Sequence, residues 1–179
     1  MINYGYSGLQ VANFHYQTRL ISSYQNKIFY DIFSAGVVPN SGDLAISPDG
    51  TQIIIPSGFS MWISPNNQFT TETTIQANYN LLDGTEKNIL DRQLLKCDIV
   101  KDFGVTQADT ITSPQYLVAE YNYLDFSDLP VDFKFVTTDP TGTNLVLLAT
   151  ITLDTTGLIS TISTATQTQS SLNNNILLS

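Results

Sequence analysis

The chain has 179 residues, a mass of 19.7 kDa and a formal net charge of −9, with only seven Lys plus Arg. A chain of this length can bury about 70% of its unfolded surface in one domain, so it needs no disulfide framework. Cations this few, scattered singly, argue against nucleic acid and anionic membranes as partners. Roughly a third of the residues are Ser, Thr, Asn or Gln, which predicts a polar but weakly charged surface.

The N-terminal arm, residues 1–27, mixes aromatic residues with Gly, Asn, Ser and Gln, and residues 9–24 can hold one irregular helix. Aromatic residues in a polar segment favour packing against the domain or a neighbouring subunit over ligand stacking. The partner-binding residues predicted here are Tyr4, Tyr6, Phe14 and Tyr16. His15, the single histidine, has no second ligand-type residue at helical spacing and is interpreted as structural.

The first ten residues lack the basic region and apolar core of a signal peptide, and no apolar run reaches the length that crosses a bilayer. We therefore expect a soluble protein that is not exported by the ordinary route.

Residues 28–63 contain short apolar runs that alternate with turn signals and carry no Lys or Arg. Between the runs 44–46 and 52–55 stands Ser-Pro-Asp-Gly, residues 47–50, which predicts a hairpin. Residues 59–63 alternate as the third strand of a meander. The expected turn positions are Gly36, Pro39, Gly50 and Gly58, and the expected core positions are Ile53, Ile55 and Phe59.

The middle of the chain begins with a Thr-rich half-exposed strand, residues 69–82, which the turn Asp83-Gly84 closes. We predict a polar loop to about Arg92 and a strand over residues 93–100. Cys97, the single cysteine, is interpreted as a buried small hydrophobe. The stretch 102–114 has no regular pattern and is predicted to be a loop.

Four further strands are predicted at residues 116–124, 131–136, 144–153 and 158–162. The second alternates apolar and polar residues, as an antiparallel strand with one face in water does. The third is an apolar run typical of a central strand. The fold class is therefore all-β, an antiparallel β-sandwich over residues 28–162, with an irregular, partly helical N-terminal arm and an extended polar C-terminal tail.

The C-terminal tail, residues 163–179, carries no charge, Pro or Gly and ends in a small apolar patch, Ile176, Leu177 and Leu178. Such a segment cannot bury enough apolar surface to fold alone. It is either disordered or bound to a partner chain, and the apolar patch favours the second alternative.

No constellation of catalytic residues is evident: the sequence has no phosphate loop, no GxSxG elbow, no HExxH and no CxxC pair. Carboxylate pairs for glycoside cleavage could come from Asp125 with Asp128 or from Asp98 with Asp102, although aspartates of this kind are typical of solvated turns. The same clusters lack the dense oxygen spacing of a Ca²⁺ loop. We predict no enzyme activity, no cofactor and no metal.

A glycan-binding platform is the alternative use of the aromatic residues. Its candidates are Trp62, Tyr121 and Tyr123, with Tyr116 on the same predicted strand. A core or interface position for Trp62 is the favoured interpretation.

The order of these segments resembles a β-domain found in tailed-bacteriophage baseplate, tail-fibre and receptor-binding proteins, and the likeness spans roughly residues 28–162. The matching segments are AGVVP at 35–39, LAI at 44–46, III at 53–55, PSGFSMWI at 56–63, DR at 91–92 with KCDIV at 96–100, the Tyr-rich strand at 116–123 and LATIT at 148–152.

This resemblance implies a non-enzymatic virion part, made in the host cytoplasm and located in the virion tail. It implies a symmetric homo-oligomer, with a trimer favoured, that binds other tail, baseplate or fibre proteins. The alternative is a carbohydrate- or receptor-binding module at a fibre tip. A head or neck decoration protein and a polysaccharide depolymerase are less favoured.

Overall fold

The computed structural model describes residues 25–64, 83–107, 113–121, 131–140 and 145–173. In chain order the elements are α1 (the described part is residues 25–32), β1 (Gly36–Val37), β2 (Ala45–Ile46), β3 (Gln52–Ile55), β4 (Ser60–Ile63), α2 (Gly84–Asp91), β5 (Leu95–Asp98), β6 (Phe103–Thr106), β7 (Gln115–Tyr121), β8 (Val131–Val136), β9 (Val146–Leu153) and β10 (Ile159–Ser163). The predicted all-β, sandwich-like class is confirmed.

The strands form three antiparallel sheets with the orders β1-β4-β5, β2-β3-β6 and β10-β9-β7-β8. The predictions of strands at β5, β7, β8, β9 and β10 are confirmed, with shifts of a few residues at some ends. The apolar run of β9 has neighbours on both sides, as expected of a central strand. In β8 the polar residues Asp132 and Lys134 are exposed while Val131 is buried, as the alternation predicts.

The β2–β3 hairpin is confirmed in detail. The backbone N–H of Gly50 donates to the carbonyl oxygen of Ser47 over 2.9 Å, and Gly50 has a φ of 72°. The Asp49 carboxylate accepts bonds from the Ser47 hydroxyl (2.5 Å) and from the backbone N–H of Thr51 (3.2 Å). These bonds, led by the one from Ser47, hold the pKa of Asp49 below its usual value. Asp49 and Gly50 therefore have the roles in the turn that their chemistry predicts.

The predicted meander is wrong, because β4 pairs with β1 and β5 and has no ladder with β3. Instead, the pairs β3–β6 and β4–β5 are the two halves of one bent, two-stranded ribbon. The chain runs along one side of this ribbon as β3 and β4 and along the other side as β5 and β6. The same register runs from Gln52 opposite Thr106 to Ile63 opposite Leu95. Pro56, which has no N–H to donate, lies at the bend, and strands commonly turn from one sheet to another at such a point. The carboxylate of Asp102 accepts a bond from the backbone N–H of Ser57 there, over 2.9 Å.

Two loop predictions are corrected. Within the predicted 102–114 loop, residues Phe103–Thr106 form β6, and neighbouring β3 supplies the pairing that the local sequence does not indicate. The predicted polar loop before Arg92 contains helix α2. Asp83, which we placed in a turn, caps this helix: its carboxylate accepts from the backbone N–H of Thr85 over 2.8 Å. The predicted strand at residues 69–82 lies outside the described residues, except for its closing turn.

One apolar core joins the three sheets. Ile53, Ile55 and Phe59 are fully buried, as predicted. They share the core with other side chains that have no solvent exposure: Met61, Ile63, Leu117, Leu148 and Ile151. Cys97 is buried in the same cluster, which confirms its interpretation as a small hydrophobe.

Candidate interaction surface

Residues 167–173, here called the strap, follow β10 and lie against β9. The backbone N–H of Thr168 donates to the carbonyl oxygen of Leu147 over 2.9 Å, and the Thr168 hydroxyl accepts from the backbone N–H of Leu147 over 3.2 Å. The side-chain amide of Gln167 donates to the carbonyl oxygen of Leu148 over 3.0 Å. The strap is thereby fixed to the central strand of the four-stranded sheet.

The other edge of the strap bonds to the segment that carries β1. The backbone N–H of Val37 donates to Thr168 over 2.8 Å, and the N–H of Ser170 donates back to Val37 over 2.9 Å. Ser34 donates its backbone N–H to the carbonyl oxygen of Ser171 over 2.9 Å. The strap therefore connects two sheets. The tail was predicted to be disordered or bound to a partner chain. For residues 164–173 that prediction is wrong, because residues 167–173 are hydrogen-bonded within the chain to β9 and to residues 30–37.

Gly36 is what allows β1 to approach the strap so closely. It has a φ of 146°, and an ideal Cβ built on it would lie 2.6 Å from both the carbonyl carbon of Gln169 and the nitrogen of Ser170. We predicted Gly36 as a turn residue, but it lies in β1, opposite Trp62. Its missing side chain makes room for a neighbouring backbone.

Asn173 joins the strap to the C-terminal end of α1. Its Nδ2 donates to the carbonyl oxygens of Tyr30 (2.8 Å), Phe33 (3.2 Å) and Asp31 (3.3 Å). Its backbone N–H donates to the carbonyl oxygen of Ile32 (2.8 Å). The last carbonyls of a helix have no partner within the helix. Asn173 supplies those partners from a segment 140 residues away along the chain.

Two aromatic side chains from α1 and the residue that follows it pack on Trp62. Phe29 and Phe33, one helical turn apart, place their ring centroids 5.1 and 4.9 Å from that of Trp62, and the Phe33 ring is stacked at 13°. Trp62 is only 8% exposed. Its ring therefore lends no support to the alternative of a glycan platform. Tyr121 is half-buried against the core, and Tyr123 lies outside the described residues.

Apolar side chains around this junction are exposed to solvent. Ile28 is 56% exposed, Tyr30 is 38% exposed and Leu172 of the strap is 57% exposed. Beside them, Lys27 and Asp31 form an exposed ion pair over 2.7 Å. Ile28 and Tyr30, two residues apart, lie on different sides of the helix. We call the exposed surroundings of α1, with Ile28, Tyr30 and Leu172, the α1 surface. It is the candidate interaction surface, because it combines exposed apolar groups with the residues to which the predicted N-terminal arm and C-terminal tail are joined.

The predicted N-terminal arm and the end of the predicted C-terminal tail are joined to residues at opposite ends of the same helix, α1. Residue 25 is the first described residue of α1, and Asn173 caps the end of that helix. The described part of α1 is about 12 Å long, at 1.5 Å per residue. The predicted partner-binding residues themselves lie outside the described residues: Tyr4, Tyr6, Phe14, Tyr16, Ile176, Leu177 and Leu178.

The carboxylates weighed for catalysis have structural bonds where they are described. The Ser60 hydroxyl donates to Asp98, and Lys96 lies 3.2 Å from the same carboxylate. These contacts, led by the Ser60 bond, lower the pKa of Asp98 and keep it ionised at neutral pH, which is unsuited to a general acid. Asp125 and Asp128 lie outside the described residues. Among the described residues, no group of three or more His, Cys, Asp or Glu could hold a metal ion.

Comparison with known proteins finds no matching family model, no matching curated protein and no matching solved structure. In the described part of the chain, no helix is long and apolar enough to cross a membrane.

Sequence reasoning missed Ser170 and Asn173, which tie the strap to the rest of the fold. Ser170 is buried, and its hydroxyl donates to the carbonyl oxygen of Ser34 over 2.8 Å. Both residues stand in a low-complexity run where one Ser or Asn looks like the next. The sequence carries one local signal: Gly36 stands directly before two β-branched residues, Val37 and Val38. A glycine inside a strand is typical of a place where another backbone approaches closely.

Proposed function

We propose that this chain is a structural, non-enzymatic component of a bacteriophage tail, an adaptor of the baseplate or fibre attachment that binds other virion proteins. The observation that carries the proposal is that residue 25 and Asn173, to which the two predicted partner-binding segments are joined, both lie at α1. Partner-binding segments that start from one small surface can engage a neighbouring subunit together. The exposed apolar side chains of the α1 surface, Ile28, Tyr30 and Leu172, add to the area that a partner can contact.

The order of segments supports the tail as the setting. The segments that resemble the tail-protein domain include β3, β4 and most of β5 in the bent ribbon, and the central strand β9. A chain with only 13% charged and 11% aromatic residues also suits a protein that neighbours cover, since interfaces favour aromatic residues over Lys and Glu. In this proposal the chain forms a homo-oligomer, with a trimer favoured, and is located in the virion tail.

The proposal is tested in phage particles that carry this protein. Replacing Ile176, Leu177 and Leu178 together by Ser should reduce the amount of the chain in purified particles about tenfold or more, measured by quantitative immunoblot, because it removes the apolar contacts of the C-terminal arm. Val100→Ser is the matched control, since Val100 is 87% exposed and distant in sequence from both arms. The control should be incorporated normally.

Two results would overturn the proposal. Electron microscopy with a labelled antibody could show that the tail does not contain the wild-type chain. A glycan array could show specific binding by the purified chain, which would favour the receptor-binding alternative; an adaptor should give no signal.

A further inference from the structure

The strap occupies a slot between two backbone segments. One wall is the stretch that leads into β1, residues 34–37, and the other is the start of β9 at Leu147 and Leu148. Main-chain groups on both walls bond to the strap, in the manner of an added strand. The absent side chain of Gly36 opens the slot for the strap backbone. The slot is thus built to receive an extended peptide.

Two side chains of the strap carry its specificity. Ser170 is buried, with its hydroxyl on the carbonyl oxygen of Ser34, and Asn173 reaches the carbonyls at the end of α1. Between them, Leu172 directs more than half of its surface to solvent. The slot therefore recognises an extended strand that carries Ser and, three residues later, Asn. Hydrogen bonds hold this strand, with little apolar burial.

We propose that the slot is a strand-binding site that also accepts the strap of a second copy of this chain, so that two copies can exchange straps. Every bond of the strap to the slot can form equally well between copies, which makes the exchange a low-cost route to an oligomer. The strap is connected to β10 by a single turn, in which the backbone N–H of Gln167 donates to the carbonyl oxygen of Thr164. Opening that turn releases the strap without breaking a strand of the core.

Protein concentration decides whether a strap lies in the slot of its own chain or in the slot of a second copy. A strap joined to its own slot by a short turn acts at an effective concentration in the millimolar range. The chain's own strap therefore fills the slot in dilute solution, and exchange is favoured where copies are crowded together, as in an assembly. This inference concerns the slot alone and does not require that the assembly be a phage tail.

The test uses the full chain with paired cysteine substitutions. The hydroxyl oxygens of Ser34 and Ser171 lie 3.2 Å apart across the slot. A chain with Ser34→Cys is mixed at high concentration with a chain that has Ser171→Cys, in a buffer of oxidised glutathione, which takes up the two electrons as the thiols form a disulfide. Native Cys97 is buried and should not react. The double variant Ser34→Cys/Ser171→Cys shows whether the geometry permits the bond within one chain.

Exchange predicts a mixed disulfide dimer of twice the 19.7 kDa chain mass on a non-reducing gel. Its yield should exceed by about tenfold that of a control pair, Ser34→Cys with Ser160→Cys, because Ser160 is exposed on β10 outside the slot. Equal yields from both pairs, or monomer alone where the double variant closes its own disulfide, would overturn the proposal. Failure of the double variant to close would also overturn it, since the strap would then not be seated in the slot.

Discussion

An added Cβ on Gly36 would lie 2.6 Å from the backbone nitrogen of Ser170, closer than real Cβ contacts come. The neighbour is a backbone, which cannot turn aside as the end of a flexible side chain can. The absence of a side chain at Gly36 therefore permits the continuous set of hydrogen bonds that joins β1, the strap and β9.

The first prediction concerns this approach. Gly36→Ala should lower the free energy of unfolding by about 2–4 kcal/mol, because it adds both a collision with the strap and an unfavourable φ. Gly58→Ala is the matched control: Gly58 also has a positive φ, 90°, but a Cβ there meets nothing within 4 Å. It should cost only about 1–2 kcal/mol. Urea unfolding followed by circular dichroism measures both, and equal losses would show that the strap does not constrain position 36.

The second prediction concerns the cap that Asn173 places on α1. Asn173→Ala should destabilise the protein by about 1–2 kcal/mol, since carbonyls at the end of the helix lose their donor. Hydrogen exchange should become faster in α1 and in the strap, and should change little in β7 and β9. Gln169→Ala is the control, because Gln169 is exposed and its side-chain amide bonds only to its neighbour Gln167 among the contacts described. Unchanged exchange in α1 would contradict the cap.

The third prediction uses Trp62, the single tryptophan, as a reporter of the α1 packing. At 8% exposure under the ring of Phe33, it should fluoresce at short wavelength and resist quenching by acrylamide. Phe33→Ala should shift the emission to longer wavelength, increase quenching and cost about 2 kcal/mol. Phe103→Ala is the control, since Phe103 packs on Phe133 in another part of the fold. Identical spectra for the wild type and the Phe33 variant would refute the packing.

The sequence predicted those elements whose signal is local. The β2–β3 hairpin could be predicted because Ser47, Pro48, Asp49 and Gly50 each favour their own turn position. The alternation of β8 and the apolar run of β9 likewise report burial directly.

Elements that depend on distant partners could not be predicted in the same way. Strand β6, Phe-Gly-Val-Thr, has no alternation of its own and is a strand because β3 pairs with it. The bend at Pro56 redirects β4 to a different sheet, which a strand pattern alone does not reveal. The strap is the extreme case: its sequence is that of a disordered tail, and its order comes from hydrogen bonds to β9 and to residues 30–37, far from it along the chain.

The fourth prediction concerns alkaline pH and the buried thiol of Cys97. Burial, with a smaller contribution from the charge of Asp98, raises the pKa of Cys97 from 9.0 to about 12. The fold favours the neutral thiol, so its contribution to stability is fully present below pH 9.0 and is lost as the pH rises towards about 12. Cys97→Ala removes this contribution. Between pH about 8 and about 10.5, wild type should therefore lose about 1–2 kcal/mol more than the variant.

Urea unfolding at the two pH values measures this difference. Tyr and Lys titrate in both proteins, and comparing the changes rather than the absolute stabilities removes their effect together with the cost of the cavity left by Ala. A thiol reagent provides the independent readout: native protein should react only as fast as it unfolds, because the buried thiol is protonated. Equal losses in the free energy of unfolding of the two proteins at alkaline pH would contradict the prediction. Rapid labelling of the folded wild type would do the same, since it would show that Cys97 is accessible and ionises freely.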